Sequence, residues 1–168
     1  MSQPPSPQPP RPDASSAPDG ETAAALLALA GARGREKGLG YHGELAPAEA
    51  WALHAAGAAR LIDVRTLAEW TYVGHVEGAP LVEWRAFGAQ QPNPGFIASL
   101  GEQVPQDVPV MFLCRSAVRS HAAAELAARS GWRLAMNVLE GFEGELDASG
   151  HRGTRGGWRR AGLPWIQT

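Results

Sequence analysis

After Pro109 the chain runs through Val110-Met111-Phe112-Leu113 without a polar residue and then reaches Cys114. An apolar run with no alternation suits a strand buried on both faces of a parallel sheet. Val118, Ala122 and Leu126 follow at i, i+4 and i+8, on one helical face, and Gly131 stops that helix. Cys114 therefore stands at the carboxyl end of a buried strand, where it turns into a helix. In open α/β sheets ligands collect at that edge.

The position has chemical consequences. Backbone N–H groups at a helix start lack partners within the helix and carry about half a positive charge through the dipole. A thiol held there deprotonates more readily, because the thiolate is the stabilised form. The same donors, contributed by Arg115, Ser116, Ala117, Val118 and Arg119, would stabilise a persulfide on Cys114 by the logic of an oxyanion hole. Arg115 and Arg119 add positive charge, and the Arg119 fork suits an incoming sulfate-like or phosphate-like anion. A lone cysteine after an apolar strand is most often an inert buried hydrophobe. Cys-Arg-Ser followed by Arg119-Ser120 sets polar and cationic groups against this one instead.

Cys114 to Ser120 resembles the active-site loop of rhodanese-type sulfurtransferases, Cys-x4-Arg. The related phosphatase loop is one residue longer and admits a larger phosphate. The family often has glycine where Ala117 stands. If that position needs positive φ, alanine costs about 1–2 kcal/mol. Asp63-Val64-Arg65 resembles the family's Asp-Val-Arg motif, and Glu69-Trp70 with Gly74-His75-Val76 resembles the segment after it. By that resemblance Asp63 and Arg65 brace the loop, with Arg65 beside the substrate and Ser120 in support. Read from the residues alone, Asp63 caps a turn, Arg65 and Glu69 form an i, i+4 ion pair, and His75 is a structural hydrogen-bonding residue. Three residues separate Trp70 from Gly74, where the family has two.

Asn137-Val138-Leu139-Glu140-Gly141 resembles an Asn-Val-x-Gly-Gly stretch, with Glu140 in place of the first glycine. Trp158 to Trp165, with Gly162-Leu163-Pro164, resembles the family's terminal helix. The resemblance covers roughly residues 41–168 and implies a single α/β domain, a parallel sheet with helices on both faces. Residues 144–156 stand out as an insertion, and its position after the last strand predicts that it lines or covers the mouth of the Cys114 site.

Length and charge narrow the alternatives. A chain of 168 residues has room for one domain with a real core, and no internal repeat is visible. A net charge of −2 argues against a nucleic-acid binder. No stretch reaches the length of a membrane span. Ala23 to Ala30 is apolar, but Asp13, Asp19 and Glu21 precede it, where an export signal wants positive charge. One cysteine rules out an intrachain disulfide and is too few for a thiolate zinc site, and the five histidines show no ligand spacing. A single reactive thiol suits a reducing compartment, which implies the cytoplasm.

Along the chain, residues 1–20 hold half of the prolines and read as a disordered tail. Residues 21–40 read as a helix from Thr22 to about Ala32, then a linker loosened by Gly31, Gly34, Gly38 and Gly40. The domain proper, 41–168, contains a helix opened by Pro47, a strand at Leu61–Val64 and a further one at Pro80–Trp84. A helix opened by Asn93-Pro94 runs to about Leu100, and a last strand spans Leu134–Leu139.

The activity implied is sulfur transfer without metal or organic cofactor. Cys114 takes sulfur from a small-molecule or protein persulfide donor and passes it to a thiol acceptor. The unusual Trp70–Gly74 spacing and Glu140 keep a second reading open: a non-catalytic module of the same fold with a redox-sensitive Cys114. A phosphatase is disfavoured by the short loop.

Overall fold

Apart from exposed Arg60, the strand side chains are buried on both sides of the sheet, and this two-sided burial organises the whole chain. The structure, a computed structural model, describes residues 19–168. Its strands are β1 (Gly43–Leu45), β2 (Arg60–Asp63), β3 (Val110–Leu113) and β4 (Ala135–Val138). They form one parallel sheet in the order β1-β4-β3-β2. α1 (Gly20–Lys37) leads into β1, and the crossovers that parallel neighbours need are supplied by α2 (Pro47–Ala55), α3 (Leu67–Val73) with α4 (Phe96–Gln103), and α5 (Val118–Arg129).

Alternate strand residues serve two cores. Val110, Phe112 and Cys114 pack with Ile62, Val64 and the inner faces of α4 and α5. Met111 and Leu113 pack with Leu61, Met136, Val138 and residues of α1 and α2 on the other face. Burying each such side chain contributes about 1.5–3 kcal/mol. Phe112→Ala, in the middle of the sheet, would cost about 3–5 kcal/mol.

Several sequence expectations need correction. The first helix starts from Asp19, whose side chain accepts from Thr22 N at 2.8 Å, and it continues to Lys37. Gly31 and Gly34 lie within it. They are there for close approach rather than looseness: a Cβ on Gly34 would fall 2.1 Å from the His42 carbonyl oxygen, and one on Gly43 only 1.7 Å from that of Ala30. Helix and strand backbones touch, and only glycine permits it. Of the tail read at residues 1–20, Asp19 and Gly20 belong to the start of α1, and the rest, 1–18, lies outside the described residues.

Pro80–Trp84 is not a strand of the sheet. Leu81 makes a single parallel bridge to Asp63, and Trp84 N donates to Val64 O at 3.1 Å. This carries the following segment, 85–90, past the carboxyl end of β2. Asn93-Pro94 does not cap α4: the helix begins at Phe96 with Gly95 as N-cap and runs to Gln103, and Asn93 instead forms the turn before it, its side chain accepting from Gly95 N at 2.9 Å. Residues 158–162 form turns and 163–165 are irregular, so there is no terminal helix over 158–165. Trp158 is nevertheless fully buried, and Ile166 pairs with His75 in an antiparallel bridge.

Candidate active site

β3 ends at Leu113 and α5 begins at Val118, so the residues between them cross the sheet edge as a loop. Cys114 belongs by strand parity to the core that α4 and α5 share. Only 1% of it is exposed. Its Sγ lies 3.2 Å from the hydroxyl of buried Ser120. The loop's outward carbonyls are tied down: Cys114 O accepts from Phe142 N at 2.7 Å, and Arg115 O from Glu143 N and Gly144 N at 3.0 and 3.2 Å. Gly141 makes that contact possible, since a Cβ there would fall 2.4 Å from the Arg115 carbonyl carbon. No backbone N–H from Arg115 to Ser120 has a backbone acceptor among the described residues. A loop with bound carbonyls and free N–H groups is suited to hold an anion.

Ala117 takes the left-handed conformation, φ 73° and ψ −2°, as N-cap of α5. That is the position where glycine is usual in the resembling family. Its carbonyl accepts from His121 N at 3.1 Å and from the Asn137 side chain at 3.3 Å. Neighbouring contacts thus hold a strained alanine in place. Glu140 is also left-handed, at φ 66°. Its carboxylate turns toward Gly157, accepting from that N–H at 2.7 Å, and binds the base of the insertion together.

Arg119 does not present an open fork. Its two terminal nitrogens meet the two oxygens of Glu69 at 2.8 and 2.7 Å. The capping of α3 explains why Glu69 is in place. Thr66 Oγ1 accepts from Glu69 N at 3.2 Å, and Glu69 Oε2 accepts from Thr66 N at 3.0 Å, which fixes the carboxylate at the helix start. Burial alone would raise the Glu69 pKa. Hydrogen bonds from Arg119 and Thr66 outweigh it and hold the carboxyl down at about 2. Arg119 is raised, chiefly by its hydrogen bond to Glu69, with smaller contributions from the charges of Cys114 and Asp63. The expected Arg65–Glu69 pair is replaced by this longer-range one.

Arg65 is fully buried. Its Nη2 donates to Asp63 Oδ2 at 2.6 Å and to Gly74 O at 2.7 Å. Its guanidinium carbon sits 4.2 Å from the centre of the Phe142 ring. Asp63 also accepts from Arg65 N at 3.0 Å. The arrangement is a brace between β2, the end of α3 and the segment that clasps the Cys114 loop. The expectation that Arg65 contacts substrate meets a guanidinium enclosed by protein. His75 stacks on Trp70 with ring centroids 3.9 Å apart and is buried, in keeping with a structural role.

A cleft of about 480 Å³ opens beside the loop, lined by Thr66, Glu69, Arg85, Phe87, Arg115, Arg119 and Glu143 among others. The 144–156 insertion contributes nothing to this lining. It folds on itself around Asp147, whose Oδ1 accepts from Ser149 N and His151 N and whose Oδ2 accepts from the Thr154 hydroxyl. The insertion meets the loop only at its root, where Gly144 N donates to Arg115 O, and the far side of this cleft is lined by Arg85–Gln90. An aromatic and a cation inside a Gly/Ala/Gln stretch, Arg85-Ala86-Phe87-Gly88-Ala89-Gln90, were the available signal for it.

Comparison with known proteins bears on the whole arrangement. The family model described as a rhodanese-like domain matches residues 46–146. The uncharacterized protein RP600 of Rickettsia prowazekii is 33% identical over 108 residues, 62% of this chain and 80% of that protein. The crystal structure of Rv0390 from M. tuberculosis is 45% identical, with a TM-score of 0.69 over 76% of this chain and 99% of that one. The polysulfide-sulfur transferase homodimer of Wolinella succinogenes shares the fold at 20% identity, with a TM-score of 0.52 over 88% of this chain and 89% of that one.

Proposed function

This chain belongs to the rhodanese-like domain family, and we propose that it is a sulfurtransferase working through Cys114. The observation that carries the reading is the loop itself. A cysteine at a strand end faces a helix start whose N–H groups, from Arg115 to Ser120, have no backbone acceptor among the described residues.

The reaction is ping-pong. The Cys114 thiolate attacks the outer sulfur of a sulfane donor. With thiosulfate, the sulfur–sulfur bond breaks and sulfite leaves with the electron pair. Cys114 then carries a persulfide whose terminal sulfur is anionic. The N–H groups of Arg115, Ser116, Ala117, Val118 and Arg119 stabilise that charge in both half-reactions. Ser120 Oγ, 3.2 Å from Sγ, donates to the thiolate and orients it. Asp63 and Arg65 act as positioning residues. An acceptor nucleophile, cyanide in an assay or a thiol in the cell, takes the terminal sulfur and returns Cys114 as thiolate. The partners are thus a small-molecule or protein persulfide donor and a thiol acceptor, and the reaction suits the reducing cytoplasm.

The near-complete burial of Cys114 and the occupied Arg119 fork favour the second reading, a binding module of the same fold. Mass spectrometry after thiosulfate treatment separates the two. The enzyme gains one sulfur on Cys114 and Cys114→Ser gains none. An unmodified wild-type protein, or the same gain in Cys114→Ser, would overturn the proposal.

A further inference from the structure

Two arginines in the cleft beside the Cys114 loop have no carboxylate partner among the described residues. Arg115 comes from the loop and Arg85 from the segment after Trp84. Both are exposed and both line the same cleft, and neither forms a salt bridge there, whereas Arg119 in the same wall is closed by Glu69. The charges of Arg119 and Glu69 cancel. What remains in the lining is Arg85 and Arg115 against the single carboxylate of Glu143. Phe87, on the same segment as Arg85, is 83% exposed. The cleft offers a small excess of positive charge beside an apolar ring.

We propose that Arg85–Gln90 is the element that selects what reaches Cys114: Arg85, with Arg115, draws anionic sulfur compounds into the cleft, Glu143 opposes them, and Phe87 packs against their organic part. The proposal deepens the sulfurtransferase reading and rests on it for the identity of the substrate. The selection itself is a property of the cleft and is readable without sulfur transfer. Arg85 makes no hydrogen bond among the described residues that would tie it to the fold, so its replacement leaves the core intact. Its long side chain holds charge in solvent, where one ion pair changes binding modestly.

Alkylation of Cys114 by iodoacetate and by iodoacetamide provides the test. In both reactions the thiolate forms a carbon–sulfur bond and iodide leaves, but only the first reagent is an anion. The iodoacetate-to-iodoacetamide rate ratio should fall about three- to fivefold in Arg85→Gln, and rise about two- to threefold in Glu143→Gln. Arg85→Lys should restore most of the ratio. KM for thiosulfate should rise in Arg85→Gln and fall in Glu143→Gln, with kcat nearly unchanged. If the alkylation ratio shifts but no sulfur is transferred, the cleft selects anions and the sulfurtransferase reading falls. If sulfur transfer proceeds while both variants keep the wild-type ratio, the role of Arg85–Gln90 is overturned. A folded protein whose Cys114 reacts with neither reagent would overturn it as well.

Discussion

Glu69 holds Arg119 by both arms, at 2.8 and 2.7 Å, across fifty residues of sequence. The pair joins the first turn of α3 to the first turn of α5 and is mostly screened from solvent, with 15% and 18% of the two side chains exposed. It keeps the most obvious anion receptor of the loop engaged. Arg119→Lys should therefore act first on stability. Lysine keeps the charge but loses the bidentate fork, at a cost of about 2 kcal/mol, between the values for exposed and buried pairs. A thermal melt should show the loss, while KM for thiosulfate changes less than in Arg85→Gln. An unchanged melting temperature with a large rise in KM would return Arg119 to the donor site.

The same pair sets an acid limit. The carboxyl of Glu69 titrates at about 2 in the folded protein, below its ordinary 4.5. The folded state binds this proton more weakly than the unfolded chain does, so stability rises with pH across that interval. The contribution is complete above about 4.5 and is lost as pH falls toward 2. Denaturant midpoints measured between these limits should slope less in Glu69→Gln than in wild type. Parallel slopes would remove Glu69 from the acid transition.

Ala117 and Glu140 share a left-handed backbone but should respond oppositely to glycine. At Ala117 the change relieves about 1–2 kcal/mol of strain, against about 0.4–1 kcal/mol of added freedom in the unfolded chain. Ala117→Gly should raise Tm by about one to three degrees at the scale for a domain of this size. Glu140→Gly relieves similar strain but deletes the acceptor of Gly157 N, so no gain in Tm should appear. Calorimetry of both variants checks the contrast.

Arg65 and Asp63 form a buried pair. Arg65→Met leaves Asp63 without its counter-charge and should cost about 3–5 kcal/mol. Any protein that remains folded at low temperature should keep a thiosulfate KM near wild type, because the guanidinium is enclosed by Asp63, Gly74 and Phe142. A KM effect exceeding that of Arg85→Gln would mark Arg65 as a substrate contact.

The 144–156 insertion depends on Asp147, which collects backbone and side-chain donors from Ser149, His151 and Thr154. Asp147→Ala should loosen the loop and raise its amide exchange. The ratio of thiosulfate to thiol-persulfide kcat/KM should stay the same, since none of these residues lines the cleft. A shifted ratio would restore the idea of a lid.

Local patterns in the sequence already determined much of this protein. The apolar run before Cys114 dictates a strand buried on both faces, because only such a strand accommodates consecutive large side chains without a polar face. Pro47 marks a helix start through its fixed φ. The left-handed backbone at Ala117 was raised only as a condition, through the glycine that the resembling family often has there. Tertiary structure alone decided which charges meet. Arg65 and Glu69 have ideal helical spacing, yet Arg65 lies before α3 begins at Leu67 and pairs with Asp63, leaving Glu69 to Arg119. The glycines of α1 looked loose in sequence because their partners, His42 and the β1 backbone, lie on another element. That Arg85–Gln90 lines the cleft beside the loop was hidden for the same reason. Which loop borders a cleft depends on where the preceding segment leaves the sheet, and that path follows from the pairing of Leu81 with Asp63, a long-range contact that no local pattern encodes.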